Sequence, residues 1–390
     1  MPRHPRFSDS TTTLTSSVYS DLAKRARARE GVVHALHVGD TYLEPIEGAR
    51  AEAQRAADHP RLHNYAPVQG VPALLDAIVD RLSARAGRPI DRESVQVMAG
   101  ATSGLSIVSR TLLDPGDEVL LPSPFWPLIR GIIASRGAIP VQVPFYDRLG
   151  DPAFDPEKVL EEAVTDRTTA IYLNTPNNPT SRVVPEAVLE VVARVAKRHD
   201  LWVLADEAYE DLWLGDERPA PMWNRADLRD RTIASHTLSK SYGLAGARVG
   251  YTHGPAEVMR AVRDLQTYQT YCAPRPMQLG GACALREGDG WLGEARRLYA
   301  EAGRRAADAL RLPKPEGGTF LFFDARPHMG EGESLMGLLG RCLDAGVLLT
   351  PGSASGEHYD TFVRLCFTAV PPEELSDALA RLSGVLFPGD

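Results

Sequence analysis

From residue 94 onward, short β-branched apolar runs alternate with longer stretches in which apolar residues return every three or four positions. The short runs are Val95–Met98, Glu118–Leu121, Ile139–Val143, Ala170–Leu173, Val203–Ala205, Thr232–His236 and Val249–His253, and they predict strands. Between them the spacing predicts helices over Ser103–Leu113, Trp126–Ser135, Pro156–Val164, Pro185–Lys197 and Ala256–Thr267. Several of these open near Pro, Ser or Thr and are followed by Gly or Asp, as helix termini require. Strand–helix alternation of this kind predicts an α/β fold with a mostly parallel sheet covered on both faces by helices.

The last hundred residues lose the alternation. A helix over Leu292–Leu310, a strand at Phe320–Phe323, a helix over Ser334–Ala345 and strands at Val347–Leu349 and Phe362–Phe367 predict a smaller α+β lobe. A helix near Ser16–Arg29 is expected to pack on it. Residues 1–15, polar with a Ser/Thr run, are expected to form a poorly ordered arm. The resulting partition is an arm over 1–15, a large domain over 48–288, and a small domain from 16–47 with 289–390.

Composition narrows the partners. Of 390 residues, 43% are hydrophobic and 24% charged, ordinary for a globular chain, and the net charge of −8 disfavours nucleic acid and anionic membrane. Arg25-Ala26-Arg27-Ala28-Arg29 reads as a solvated helix face. The four cysteines have no metal-ligand spacing and read as free thiols of a reducing compartment. No metal is expected. Met1 to Ser10 lacks the apolar core of a signal peptide, and no apolar run reaches the roughly 18 residues of a membrane helix. The expectation is a cytoplasmic protein.

The chemistry sits where apolar runs end. Lys240, in Thr237-Leu238-Ser239-Lys240-Ser241-Tyr242, is a solvated charge or, if burial and nearby cations depress its pKa, an amine that can form a Schiff base and move a proton. Asp206 closes Val203-Leu204-Ala205; a carboxylate there needs a partner, either a protonated pyridine nitrogen or the amides of the following segment. Tyr209 offers a hydroxyl to a ring oxygen, or packs. Asn178, in Asn177-Asn178-Pro179-Thr180, offers an amide to that oxygen and to a carboxylate, and is also turn chemistry. Gly100-Ala101-Thr102-Ser103 opens a helix whose free amides attract phosphate, or is an ordinary N-terminus. Thr237, Ser239 and Arg248 could complete a phosphate cup. Trp126 presents a face to a ring, or joins the core. Arg364, between Val363 and Leu365, needs an anion, either a substrate carboxylate in a bidentate fork or a structural partner.

Together, in this order, these residues are what pyridoxal phosphate chemistry uses. From about Gly39 to Arg364 the chain resembles the class I/II aminotransferases, the aspartate-aminotransferase-like branch of fold type I pyridoxal phosphate enzymes. The resemblance implies a large cofactor-binding domain with a mostly parallel seven-stranded sheet and a smaller α+β domain. It implies that Lys240 carries the cofactor aldehyde, that Asp206 and Tyr209 serve the ring nitrogen and ring oxygen, and that Asn178 serves the oxygen and the substrate. Trp126 would stack on the ring. Ala101 and Thr102 would form the phosphate loop, with Thr237, Ser239 and Arg248 as side-chain partners. Tyr65, five residues before Gly70, would reach the phosphate of a neighbouring subunit, implying a homodimer with shared active sites. Gly39 and Arg364 would meet the substrate, an L-amino acid whose amino group moves to a 2-oxo acid.

The departures are specific. Ser181 replaces the glycine of Asn-Pro-Thr-Gly, and is expected to keep the turn. Thr237 replaces a serine and keeps the hydroxyl. Leu75 stands where an arginine often follows, expected to be a surface change. Gly39-Asp40-Thr41-Tyr42-Leu43 departs on the substrate side, so specificity is left unassigned; His37, Tyr42, Tyr271 and Arg275 are candidate pocket residues or packing. A lyase, synthase or cyclase using the same cofactor is the first rival, and a cofactor-binding regulator the second.

Overall fold

The computed structural model describes residues 14, 21–55 and 57–389. The expected arm, apart from Leu14, and the start of the Ser16–Arg29 helix lie outside these residues. The seven predicted strands are present: β1 Val95–Met98, β2 Glu118–Ser123, β3 Ile139–Pro144, β4 Thr168–Asn174, β5 Trp202–Asp206, β6 Thr232–Thr237 and β7 Gly250–His253. They form one sheet in the order β1-β7-β6-β5-β4-β2-β3. Pairing is parallel from β6 through β3, and β7 runs antiparallel to both β6 and β1.

The central strands are buried on both faces, which is why they read as continuous apolar runs. On one face Leu204 and Ile233 meet Leu105 and Val108 of helix Ala101–Leu112 and Val262 of helix Ala256–Gln269. On the other, Ile171 and Val203 meet Leu160 and Val192, from helices Pro156–Ala163 and Glu186–Arg198. The helix expected to start at Ser103 begins at Ala101, and the one expected at Leu292 begins at Asp289.

Four helices were not predicted: Pro72–Ala86, the four-residue Leu238–Ser241 that carries Lys240, Arg275–Glu287 and Pro372–Leu386. The first overturns the reading of Leu75 as a surface change. Ile78 follows Leu74 and Leu75 by four and three residues and Leu82 follows Ile78 by four, so all four turn into the core, leaving Leu75 only 1% exposed.

The C-terminal lobe carries a three-stranded antiparallel sheet in which β9 Phe362–Cys366 lies between β8 Phe320–Asp324 and the short segment Thr350–Pro351. Helices Asp289–Leu310, Leu335–Asp344 and Pro372–Leu386 pack around it. His34–Ala35 pairs in parallel with Val347–Leu348, tying the chain start to this lobe. Helix Leu22–Ala28 packs there too, and Arg29 just beyond it donates to the carbonyls of Leu343 and Asp344 at 2.7 and 2.6 Å. All four cysteines are free.

Candidate active site

The parallel register places Asn174 beside Asp206, and Asp206 beside Ser235. Outside the carboxyl ends of these strands, where open α/β sheets bind ligands, lies a cavity of about 210 Å³. Gly39, Ala101, Thr102, Trp126, Asn178, Asp206, Tyr209, Thr237, Ser239, Lys240, Arg248 and Arg364 all line it. Tyr65 does not; it is 79% exposed and rests against Tyr271 with ring centroids 5.0 Å apart. None of His37, Tyr42, Tyr271 and Arg275 lines the cavity.

One end of the cavity is built for an anion. Helix Ala101–Leu112 starts with no side-chain cap, so its first amides keep their positive end for a ligand. Its N-cap, Gly100, has φ +83, and a Cβ there would lie 2.6 Å from Arg248 Nη2. The bare backbone thus lets the guanidinium approach the helix start. Thr237 Oγ1 donates to Ser239 Oγ at 2.8 Å, and Arg248 Nη1 reaches the same Ser239 hydroxyl at 3.5 Å.

The middle holds a carboxylate and an amine. Asp206 is buried and has no ion pair among the described residues. Burial pushes its pKa up to about 6, against the hydrogen bonds donated by Tyr172 Oη to Oδ2 (2.6 Å) and by the Ala208 amide to Oδ1 (3.1 Å). Asn174 fixes the strand end: its Nδ2 donates to the Asp206 carbonyl at 2.9 Å, and its Oδ1 accepts from the Asn178 amide at 2.8 Å. Lys240 Nζ donates to the Gly39 carbonyl, and burial lowers the lysine pKa. A Cβ on Gly39 would meet Phe320 Cζ at 2.5 Å, so only glycine brings that carbonyl in so closely. Tyr209 is buried, with its ring edge-to-face with Phe320 at 5.8 Å.

The far end belongs to the small lobe. Arg364 donates from Nη1 to Asn178 Oδ1 (3.0 Å) and from Nη2 to the His37 carbonyl (3.1 Å), and lies over the Phe320 ring at 4.5 Å. Ser181 has the left-handed φ of +58 that the replaced glycine would take freely. Its hydroxyl offsets the cost by donating to the Phe320 carbonyl (2.7 Å) and accepting from the Phe320 amide (3.1 Å). The turn that carries Asn178 is thereby fastened to β8.

The residue after Asp206 faces away from the cavity. Glu207, held up to about 7 mainly by burial, turns toward Arg85 and Arg218, and nearby Glu210 and Asp211 pair with Arg85 and Arg218. Sequence reasoning assigned no role to Asn174, Phe320 or Tyr172. The signal for Tyr172 was its spacing of two from Asn174, which places both on one face of β4.

The family model of class I and II aminotransferases matches residues 33–382. The chain is 31% identical over 381 residues to an aspartate/prephenate aminotransferase of Thermus thermophilus, covering 92% of each. It is 32% identical over 379 residues to an arginine–pyruvate transaminase of Pseudomonas aeruginosa, covering 94% of this chain and 92% of the relative. Among solved structures, the aspartate aminotransferase of Rhizobium meliloti superposes with a TM-score of 0.89 at 26% identity, covering 98% of this chain and 99% of that one. The Thermus thermophilus aspartate aminotransferase with maleate gives 0.87 at 28% identity, covering 98% and 100%.

Proposed function

The chain belongs to the class I and II aminotransferases, and we propose that its cavity binds pyridoxal 5′-phosphate and transfers the amino group of an L-amino acid to a 2-oxo acid. The observation that carries the reading is Asp206: a buried carboxylate, facing the cavity, with no cation beside it among the described residues. A protonated pyridine nitrogen supplies the missing charge. The uncapped helix start with Ser239, Thr237 and Arg248 fits the phosphate at the other end.

Pyridoxal phosphate, when bound, supplies an aldehyde that takes up the substrate nitrogen and a ring that withdraws electrons from the substrate Cα–H bond. The protein's part is positional and acid–base. Ala101 and Thr102 amides, the Thr237 and Ser239 hydroxyls and Arg248 hold the phosphate. Trp126 covers one ring face. Tyr209 and Asn178 serve the ring oxygen. Arg364 takes the substrate carboxylate in a fork, with Asn178 and Gly39 beside it. Lys240 Nζ, kept neutral more readily by burial, would hold the aldehyde carbon between turnovers and, once free, would take the proton from the substrate Cα and deliver it to that aldehyde carbon, across the substrate nitrogen.

This reading divides the chain into a cofactor-binding domain over 48–288 and a small domain from 16–47 and 289–390 that brings Arg364. It also assigns exposed Tyr65 to the phosphate of a second copy, making the enzyme a homodimer. Its place is the cytoplasm; no helix among the described residues is long and apolar enough to cross a membrane.

The test is an absorbance spectrum of the purified protein as L-amino acids are added one at a time. Conversion of the bound cofactor to its amine form, with release of the matching oxo acid, supports transamination. Ammonia or a rearranged product without any amino acceptor would favour lyase or cyclase chemistry instead.

A further inference from the structure

Tyr172 lies in the middle of β4, is fully buried, and is absent from the cavity wall. Its phenol nevertheless ends 2.6 Å from Asp206 Oδ2, a length typical of a hydrogen bond to an anionic oxygen. We propose that Tyr172 is a positioning residue for the reaction: by donating to Asp206 it holds that carboxylate as the anion, leaving the shared proton on the cofactor nitrogen that Asp206 faces.

The inference rests on the pyridoxal phosphate reading of Asp206 and deepens it. A proton shared by a carboxylate and a pyridine resides on the stronger base. Burial makes Asp206 a stronger base than an exposed aspartate, which works against a charged ring. A donated hydrogen bond favours the charged carboxylate and works the other way. Tyr172 can only donate here, because burial and the Asp206 charge hold its own pKa well above the ordinary phenol value. The remaining neighbours do not substitute for it. The Ala208 amide serves Oδ1, and the Tyr146 hydroxyl accepts from the Asn174 amide. Tyr209 turns its ring to Phe320, and the Glu207 carboxylate faces arginines. Lys240 is turned to the Gly39 carbonyl. Only one side-chain donor to Asp206 is present among the described residues.

The experiment compares Tyr172→Phe with Tyr146→Phe, an equally buried phenol whose hydroxyl does not meet Asp206. In apoprotein with carboxyl-13C aspartate, the Asp206 resonance is assigned by its loss in Asp206→Asn and titrated. Loss of the Tyr172 donor should raise its proton affinity on the order of tenfold or more, and Tyr146→Phe should leave it in place. In holoenzyme carrying ring-15N pyridoxal phosphate, the nitrogen resonance should lie at the pyridinium position in the native enzyme and in Tyr146→Phe, and move toward neutral pyridine in Tyr172→Phe. An Asp206 titration or a nitrogen resonance unmoved by Tyr172→Phe overturns the proposal and leaves the cofactor reading standing. Failure of the native protein to take up pyridoxal phosphate removes the reading beneath it. If Tyr172→Phe does not fold, 3-fluorotyrosine placed at 172, a stronger donor, should move the Asp206 titration to lower pH, and no movement overturns the proposal.

Discussion

Arg364 Nη1 donates to Asn178 Oδ1 at 3.0 Å, bringing together a guanidinium on β9 and an amide after β4 that are 186 residues apart in the chain. The same guanidinium is fixed by the His37 carbonyl and by the Phe320 ring, so its fork is oriented before any substrate arrives.

Orientation is what a lysine cannot reproduce. Arg364→Lys should lower kcat/KM for the amino-acid donor by about a hundredfold, on the scale of one or two charge-assisted hydrogen bonds. Most of the change should fall on KM, with cofactor absorbance retained. Steady-state kinetics on donor and acceptor separately would read it.

Lys240→Ala should abolish turnover, as expected when the group that moves the Cα proton is lost; general bases contribute about 10²- to 10⁴-fold and covalent attachment adds to this. Cofactor should still co-elute with the variant, because the phosphate cup and Asp206 do not depend on the amine. Retained turnover would remove Lys240 from its assigned place.

The anion end can be tested without touching a side chain. Gly100→Ala puts a Cβ in the left-handed region and 2.6 Å from Arg248 Nη2. The guanidinium must move, so the apparent Kd for pyridoxal phosphate should rise at least about tenfold, on the scale of one charge-assisted hydrogen bond. Equilibrium dialysis of apoenzyme gives the constant.

Asp206 also makes apoprotein stability depend on pH. Its folded pKa is raised from 3.8 to about 6, so the folded state holds the proton more tightly than the unfolded state. The stabilisation is full below the unfolded value and is lost as pH rises through about 6. Glu207, raised from 4.5 to about 7, adds to the same decline. Apoprotein Tm should therefore fall between about pH 4 and pH 7 from these two groups, and Asp206→Asn should remove its share. At pH 8 the variant apoprotein should be the more stable by up to about 3 kcal/mol, although inactive. A thermal-shift series across pH in phosphate-free buffer tests both statements.

Ser181 separates strain from bonding. Ser181→Ala keeps the left-handed backbone and loses both hydrogen bonds to Phe320, and should destabilise by about 1 to 3 kcal/mol. Ser181→Gly loses the same bonds but relieves the backbone, and should cost less. Chemical denaturation that ranks glycine below alanine would contradict this account.

The sheet was legible because its central strands are buried on both sides, leaving apolar runs such as Val203-Leu204-Ala205 that end abruptly in polar residues. The site was legible for the same reason: Asp206, Asn178 and Lys240 interrupt or follow those runs. Tyr172 was not, because a tyrosine inside an apolar strand looks like core, and only the fold brings its hydroxyl to Asp206. Leu74, Ile78 and Leu82 carry the helical period of Pro72–Ala86, and that period, not a place on the surface, accounts for Leu75. Tyr271 and Arg275 lie outside the cavity, in keeping with the packing alternative rather than the pocket one.

Strands apolar on both faces have little to tell them which residue should lie opposite which, because sliding by one position exchanges one buried face for another. Here the sheet solves this at its polar rim. Asn174 can bond the Asp206 carbonyl in one alignment only, and a slip of one residue would send Asp206 toward the arginines and Glu207 into the cavity. A residue of the cavity wall thus serves as an alignment mark for the sheet that carries the site, and a chain that folds out of step discards its active site in the same error.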